Sequence, residues 1–229
     1  MSPSPTSNDG SGCVLLFSGG RDSTIAAVRL GMALSPLVLL TLTSGHLVSI
    51  EQVRRRVLEL RSILPGRTEW VQAIIKSTGA EHERTTIESC LPCHSVYFLA
   101  ALHIANLRQI DYIAAGYTRY QSEWLEQSPL AVDWLRKVIG NFGKKLLLPV
   151  QDLASKDEAK STLRLLGLSE DALEQKCLRQ RFNSANVEAD LARAEVDLWG
   201  RNLERLLALG GGLDFVEFKG ALTLDEVTR

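Results

Sequence analysis

The chain has little of what marks whole classes of protein. Its 229 residues carry 26 basic and 27 acidic side chains, a formal net charge of −1. No excess of positive charge draws it as a whole to nucleic acid, so an RNA contact would need a local basic patch. No apolar run approaches the roughly 20 residues of a membrane-spanning helix. Residues 1–12 are rich in Ser, Pro, Asn and Gly. They lack the basic start and apolar stretch that direct secretion, and they read as a disordered tail. Only four cysteines are present, and without a secretion signal they argue against a disulfide framework. The expectation is a cytoplasmic protein. There is no internal repeat.

What is present is an ordinary globular composition, 45% hydrophobic and 23% charged, long enough for a full core. One stretch organises it: Cys13-Val14-Leu15-Leu16-Phe17-Ser18-Gly19-Gly20-Arg21-Asp22-Ser23-Thr24. Four apolar residues run into a Ser-Gly-Gly turn, and Ile25, Ala26, Ala27, Val28 and Leu30 follow at helical spacing. This predicts a buried strand, a glycine turn and a helix start. Glycines allow positive φ and close approach of backbone to a ligand. The helix start presents free N–H groups and the positive end of its dipole, a geometry that binds phosphate. Ser18 and Ser23 add hydroxyls and Arg21 a charge. Two common phosphate loops are excluded here: no Lys follows the glycines as G-x-x-x-x-G-K-[ST] requires, and adjacent glycines do not make G-x-G-x-x-G.

Downstream, Leu37–Thr43 is a continuous apolar run typical of a buried parallel strand. Ile50, Val53, Val57, Leu60 and Leu64 recur at helical spacing, with Arg54, Arg55 and Arg56 read as a solvated face. Further strands are expected at 69–75, 111–116 and 145–150. Helices are expected from Cys93, over 129–139, after the Ser155-Lys156-Asp157-Glu158 capping box, and over 185–209. Residues 76–89 read as a surface loop, and 213–218 as a final short strand or docking segment. The alternation implies an α/β fold with a parallel five-stranded sheet flanked by helices. Ligands of such sheets gather beyond the carboxyl ends of the strands, where the first loop, Thr43, Gly116 and the segment after Pro149 would meet. Residues 13–182 are taken as one catalytic domain and 183–229 as a helical extension, which offers a surface for a homodimer.

The cysteines form a second constellation. Cys90-Leu91-Pro92-Cys93-His94 permits haem attachment, a redox pair, or a metal or cluster site. Two cysteines at i and i+3 of a helix start can point to one side, and Cys177 lies where the chain returns to the strand ends. Three thiolates leave one coordination position open, suited to a [4Fe–4S] cluster carrying an exogenous sulfur; zinc with His94 as fourth ligand is the competing occupant. Cys13, on a buried strand, is expected to be a packed apolar residue. The four tryptophans are expected in the core or at interfaces, and His46, His82 and His103 in structural or exposed roles.

The segment S-G-G-x-D-S, on a strand–turn–helix, resembles the PP-loop of the N-type ATP pyrophosphatase superfamily. That resemblance implies the HUP-like adenine-nucleotide hydrolase fold, with ATP and Mg2+ as cofactors. It also implies cleavage of ATP between the α- and β-phosphates, with AMP passed to a substrate oxygen. The order S-G-G-x-D-S, C-x-x-C, lone Cys is similar to the cluster-dependent sulfur-transfer branch, which includes tRNA 2-thiolation enzymes and the sulfur-inserting enzyme of nickel-pincer cofactor synthesis. Leu153–Leu168 resembles the L-T-K-x-E-I…L-G-L segment of that superfamily, with Lys156 on its lysine. Cys177-Leu178-Arg179-Gln180-Arg181 resembles C-L-x-S-R, with Cys177 and Arg181 on the cysteine and arginine. The likeness runs from about Cys13 to Phe182. One departure stands out: Gly116-Tyr117-Thr118-Arg119-Tyr120-Gln121 replaces the G-H-x-x-D-D of tRNA thiolases. Read on to Glu123, that stretch is closer to the G-x-x-x-x-D-Y-S of 7-cyano-7-deazaguanine synthases, which use ammonia and a four-cysteine zinc site. The resemblance thus implies Ser18, Gly19, Gly20, Arg21, Asp22, Ser23, Thr43 and Gly116 around ATP, and Asp22, Lys156, Arg181 and Cys177 in catalysis. Asp22 would orient the loop or its magnesium, and Cys90, Cys93 and Cys177 would hold the cluster. The acceptor is a tRNA base or a small molecule and the donor is sulfur; an ammonia-using amidation and a nucleotide sensor without chemistry are the alternatives.

Overall fold

The apolar, β-branched runs of the sequence become the strands of one sheet. The computed structural model describes residues 12–64, 66–76, 89–178, 188–208 and 216–228. In chain order these form β1 (Cys13–Leu16), α1 (Arg21–Gly31), β2 (Leu37–Ser44), β3 (Leu47–Val48), α2 (Ile50–Leu60), β4 (Thr68–Ile75), α3 (Leu91–Leu107) and β5 (Tyr112–Ala115). Then follow α4 (Pro129–Gly140), β6 (Lys145–Leu147), α5 (Lys156–Leu165), β7 (Lys176–Cys177), α6 (Ala189–Ala208), β8 (Val216–Phe218) and β9 (Leu222–Thr223). Helix α3 starts two residues before Cys93, because Pro92 suits a first helical turn, where its missing N–H costs nothing. Most of the expected 76–89 loop lies outside the described residues.

Five strands are parallel, in the order β6-β5-β1-β2-β4. The chain adds strands outward from β1 to β2 and β4, then crosses back to β5 and β6. The order therefore reverses between β1 and β5, which makes the carboxyl end of β1 the switch point of the sheet. Side-chain alternation divides the core between two faces. Val14, Val38, Leu40 and Leu42 face the layer of α3, α4 and α6. Cys13, Leu15, Leu37 and Leu39 face α1, α2 and α5. Cys13 is fully buried, as expected, and burial pushes its thiol up to about 12.

The C-terminal stretch is built into this core. Strands β8 and β9 run antiparallel along the outer edge of β4, covering an edge that would otherwise present unpaired backbone groups. Helix α6 buries Val196, Trp199 and Leu203 against the α3–α4 layer. Trp199 Nε1 donates to Ser95 Oγ at 2.7 Å, and Trp134 Nε1 donates to Asp197 Oδ1 at 3.0 Å. Gly200 lies directly under the Trp134 ring, and a Cβ there would stand 2.2 Å from Trp134 Cδ2. Helix propensity favours alanine over glycine by roughly 1 kcal/mol, but this contact outweighs it. Gly200→Ala should lower stability by about 1–3 kcal/mol in urea unfolding, because the indole must leave its site.

Candidate active site

The turn after β1 is held from both sides. Phe17 N–H donates to the Leu40 carbonyl at 2.8 Å. Thr41 Oγ1 donates to the Phe17 carbonyl at 2.7 Å and accepts from Trp70 Nε1 at 3.0 Å. The sequence pointed to Thr43, which is half-buried near the end of β2. Buried Thr41, a lone hydroxyl inside an apolar run, is the residue that anchors the turn. Gly19 has φ +81°, and a Cβ on it would come within 2.7 Å of the Leu173 carbonyl oxygen. Gly20 N–H donates to Ser18 Oγ at 3.2 Å, which lies 3.1 Å from Ser23 Oγ. Thr24 Oγ1 donates to the Gly20 carbonyl at 2.6 Å. Among the described residues no side chain caps α1, so its first-turn N–H groups and the positive end of its dipole have no partner there from a capping side chain. Ser18 is exposed at the mouth of the turn.

Gly116, at the end of β5, serves the same turn by close packing. A Cβ there would meet Ser23 N at 2.7 Å, so only glycine lets β5 press against the first turn of α1. Four residues on, the Tyr120 hydroxyl reaches both carboxylate oxygens of Asp22, at 2.9 and 2.7 Å. Burial raises the Asp22 pKa above its ordinary value; the Tyr120 hydrogen bond and the Arg21 charge oppose that, and Glu174 adds to it. The Tyr120 phenol is itself raised, by burial and then by Asp22, so it stays a neutral donor.

Arg56 corrects the reading of 54–56 as a solvated face. Its side chain has no exposure to solvent. Its Nε donates to the Gly19 carbonyl at 3.4 Å, Nη1 to the Ser169 carbonyl at 2.9 Å and Nη2 to the Asp171 carbonyl at 2.6 Å. Nη1 also pairs with Glu59 Oε2 at 2.6 Å. The helical period puts position 56 three residues from Val53 and four from Leu60, both buried, and that inward spacing is the signal in the sequence. Arg21 Nε donates to the Glu170 carbonyl at 2.7 Å. Two arginines thus bind three consecutive carbonyls and strap residues 169–171 across the loop. Beyond them, Glu174 Oε2 is buried near Gly20 without a hydrogen-bond partner among the described residues, and Gln175 Nε2 donates to the Leu42 carbonyl at 2.8 Å.

Lys156 is not brought to this loop. Asp152, just before α5, pairs with Arg29 in the last turn of α1. Glu170, just after α5, meets Arg21 in the first. The two helices therefore run antiparallel, and Lys156 is exposed at the end of α5 remote from Ser18–Ser23. Its place at N1 is supported instead by the Ser155 cap, whose Oγ accepts from Glu158 N at 3.1 Å. Arg181 lies outside the described residues.

The strap delivers Cys177. Strand β7 pairs with β3, setting Cys177 opposite Leu47. Cys90 is the N-cap residue of α3 and Cys93 lies in its first turn. No disulfide joins any of the three among the described residues. Burial, then the charges of Glu126, Cys93 and Cys177, push Cys90 up to about 12. The same three cysteines, after burial, raise the Tyr97 phenol, so they share one neighbourhood. His94, considered as a zinc ligand, is hydrogen-bonded through Nδ1 to the Tyr117 hydroxyl, a contact that does not engage its Nε2. Among the described residues no three His, Cys, Asp or Glu side chains stand close enough to hold a single metal ion. A cluster asks less of them, because each thiolate takes a different iron and the sulfurs need not meet at one point.

Solved structures share the architecture. A 4-thiouridine synthetase, in complex with RNA and with bound ATP, superposes with a TM-score of 0.62 at 16% identity, over 92% of this chain and 55% of its own. The U34-tRNA thiolase NcsA from Methanococcus maripaludis, with its [4Fe–4S] cluster, gives 0.51 at 16% identity, over 86% of this chain and 72% of its own. The chain spans little more than half the length of the synthetase. The likeness establishes the fold, a mostly parallel sheet flanked by helices. No family model and no curated protein sequence matches the chain.

Replacing Arg56 by Met would leave the Gly19, Ser169 and Asp171 carbonyls unpaired at a buried site. Arg56→Met should cost about 3–5 kcal/mol in chemical denaturation. Arg56→Lys, which keeps the charge but not the fork, should recover only part of it.

Proposed function

We propose that this chain is a PP-loop ATP pyrophosphatase that binds ATP on Ser18–Ser23, adenylates an acceptor oxygen and then thiolates the acceptor. The observation that carries the reading is the uncapped start of α1, joined to a positive-φ glycine turn at the switch point of the sheet. In the first step the acceptor oxygen attacks the α-phosphorus, the bond from the α-phosphorus to the bridging oxygen breaks, and pyrophosphate leaves. In the second, a hydrosulfide-class donor attacks the activated carbon, and AMP departs with the former acceptor oxygen. The loop N–H groups and the serine hydroxyls offset phosphoryl charge. Arg56 and Arg21 act through geometry, holding the turn and the strap in place. The donor chemistry of Cys90, Cys93 and Cys177 fits a [4Fe–4S] cluster, which when bound supplies an iron free of protein ligands for the transferred sulfur.

The reading is supported by the two structural neighbours, one with bound ATP and one with a cluster. A tRNA base is the acceptor class they favour. Zinc-dependent amidation has weaker support, since a four-cysteine site would need Cys13, which is buried in the sheet.

Wild type should release pyrophosphate from ATP when given a thiolation-competent acceptor. Gly19→Ala, which strains the turn and meets Leu173, should slow release by about 100-fold while circular dichroism stays unchanged. ATP binding without α,β cleavage across tRNA and small-molecule acceptors would point to a sensor instead. Protein purified without oxygen should contain about four irons with matching sulfide, lost in Cys177→Ala. About one zinc and no iron would move the reading to amidation.

A further inference from the structure

We propose that Tyr120 is a positioning residue of this site, which holds the Asp22 carboxylate in one orientation toward the ligand of the loop; the role rests on the nucleotide reading above. Tyr120 lies in a short 3-10 turn, Arg119–Gln121, just beyond β5. Its hydroxyl stands 2.9 and 2.7 Å from the two oxygens of Asp22. One proton shared between two oxygens centres the phenol on the carboxylate and fixes a torsion that is otherwise broad and two-fold.

The surroundings show why a holder is needed. Asp22 faces Arg21 from its own helix and Glu174 from the strap. The Glu174 charge repels it and the Arg21 charge attracts it, so an unheld carboxylate would swing toward the guanidinium. The phenol resists that swing without adding charge. It is braced in turn: Thr118 N–H donates to Gln127 Oε1 at 3.2 Å, and Gln127 Nε2 donates to Gln121 Oε1 at 3.0 Å, on either side of Tyr120. Gln127 closes a second 3-10 turn that leads into α4. A relay therefore runs from the start of α4 through Gln127 and Tyr120 to the start of α1.

The test uses the full chain and two readouts. The first is a stability cycle in urea on wild type, Tyr120→Phe, Asp22→Ala and the double variant, without nucleotide. The expected coupling is about three- to tenfold in the unfolding equilibrium; additive effects would overturn the proposal. The second is pyrophosphate release with ATP. Tyr120→Phe should lower the rate about 10- to 100-fold with the ATP Kd within about threefold, the signature of lost orientation rather than lost binding. Gln127→Ala, which leaves the phenol intact but loosens its turn, should reproduce a smaller loss of rate. A Tyr120→Phe protein with wild-type rate, or one whose whole loss is in ATP affinity, would overturn the proposal. If wild type neither binds nor cleaves ATP, the nucleotide reading fails while the stability cycle still decides whether Tyr120 fixes Asp22.

Discussion

A buried guanidinium is the constraint on which the site depends. Taking an arginine fully out of water costs several kcal/mol unless its donors are satisfied. Arg56 meets that condition with three backbone carbonyls and Glu59. Glu59 is the smaller part of the explanation, because its side chain is partly exposed and water screens it. The carbonyls matter more, since each would be orphaned without the arginine. Burial lowers the Arg56 pKa and Glu59 raises it, but a guanidinium stays protonated in either case. One side chain on α2 therefore sets the height of the glycine turn and the path of residues 169–171 together.

The glycines follow from the same closeness. Gly19 has the Leu173 carbonyl against it, and Gly116 has the backbone of Ser23. At both places another stretch of main chain occupies the space a side chain would need. The turn is thus pressed from the strap on one side and from β5 on the other, while its mouth, at Ser18, stays open. Within this enclosure Asp22 feels opposed effects. Burial and Glu174 disfavour its charge, and Tyr120 and Arg21 favour it, with burial the largest. A cation at the mouth would add to the side that favours the charge, and a phosphate without one to the side that disfavours it.

The strap also links two pieces of chemistry. The segment that covers the loop continues through Glu174 and Gln175 into β7, and so ends at Cys177. The cysteines and the glycine turn are therefore joined by a few residues of chain. Helix α6 and strands β8 and β9 close the opposite face and the outer edge of the sheet, which makes the C-terminal stretch part of the core that carries α3 and its two cysteines.

Much of this was legible in the sequence, because it depends on local pattern. Apolar runs with β-branched residues marked the five parallel strands, helical spacing marked the helices, and Ser-Gly-Gly before an apolar helix marked the tight turn between β1 and α1. These features follow from backbone geometry and burial over a few residues, and that information is contiguous in the chain. What the sequence could not determine was which distant residues meet. Arg56 looked like one of three surface arginines, since a side chain's partners across 113 and 115 residues leave no local trace. Resemblance gave Lys156, at the start of its helix, a catalytic role with Asp22, but the antiparallel packing of α5 on α1 sets it at the far end. Tyr120 stood only as a departure from a thiolase motif and Glu174 in no motif, and both joined the candidate site only when β5 and the chain beyond residue 171 were brought to either side of α1. Burial and long-range hydrogen bonding decided those places, and both exist only once the sheet has ordered its strands.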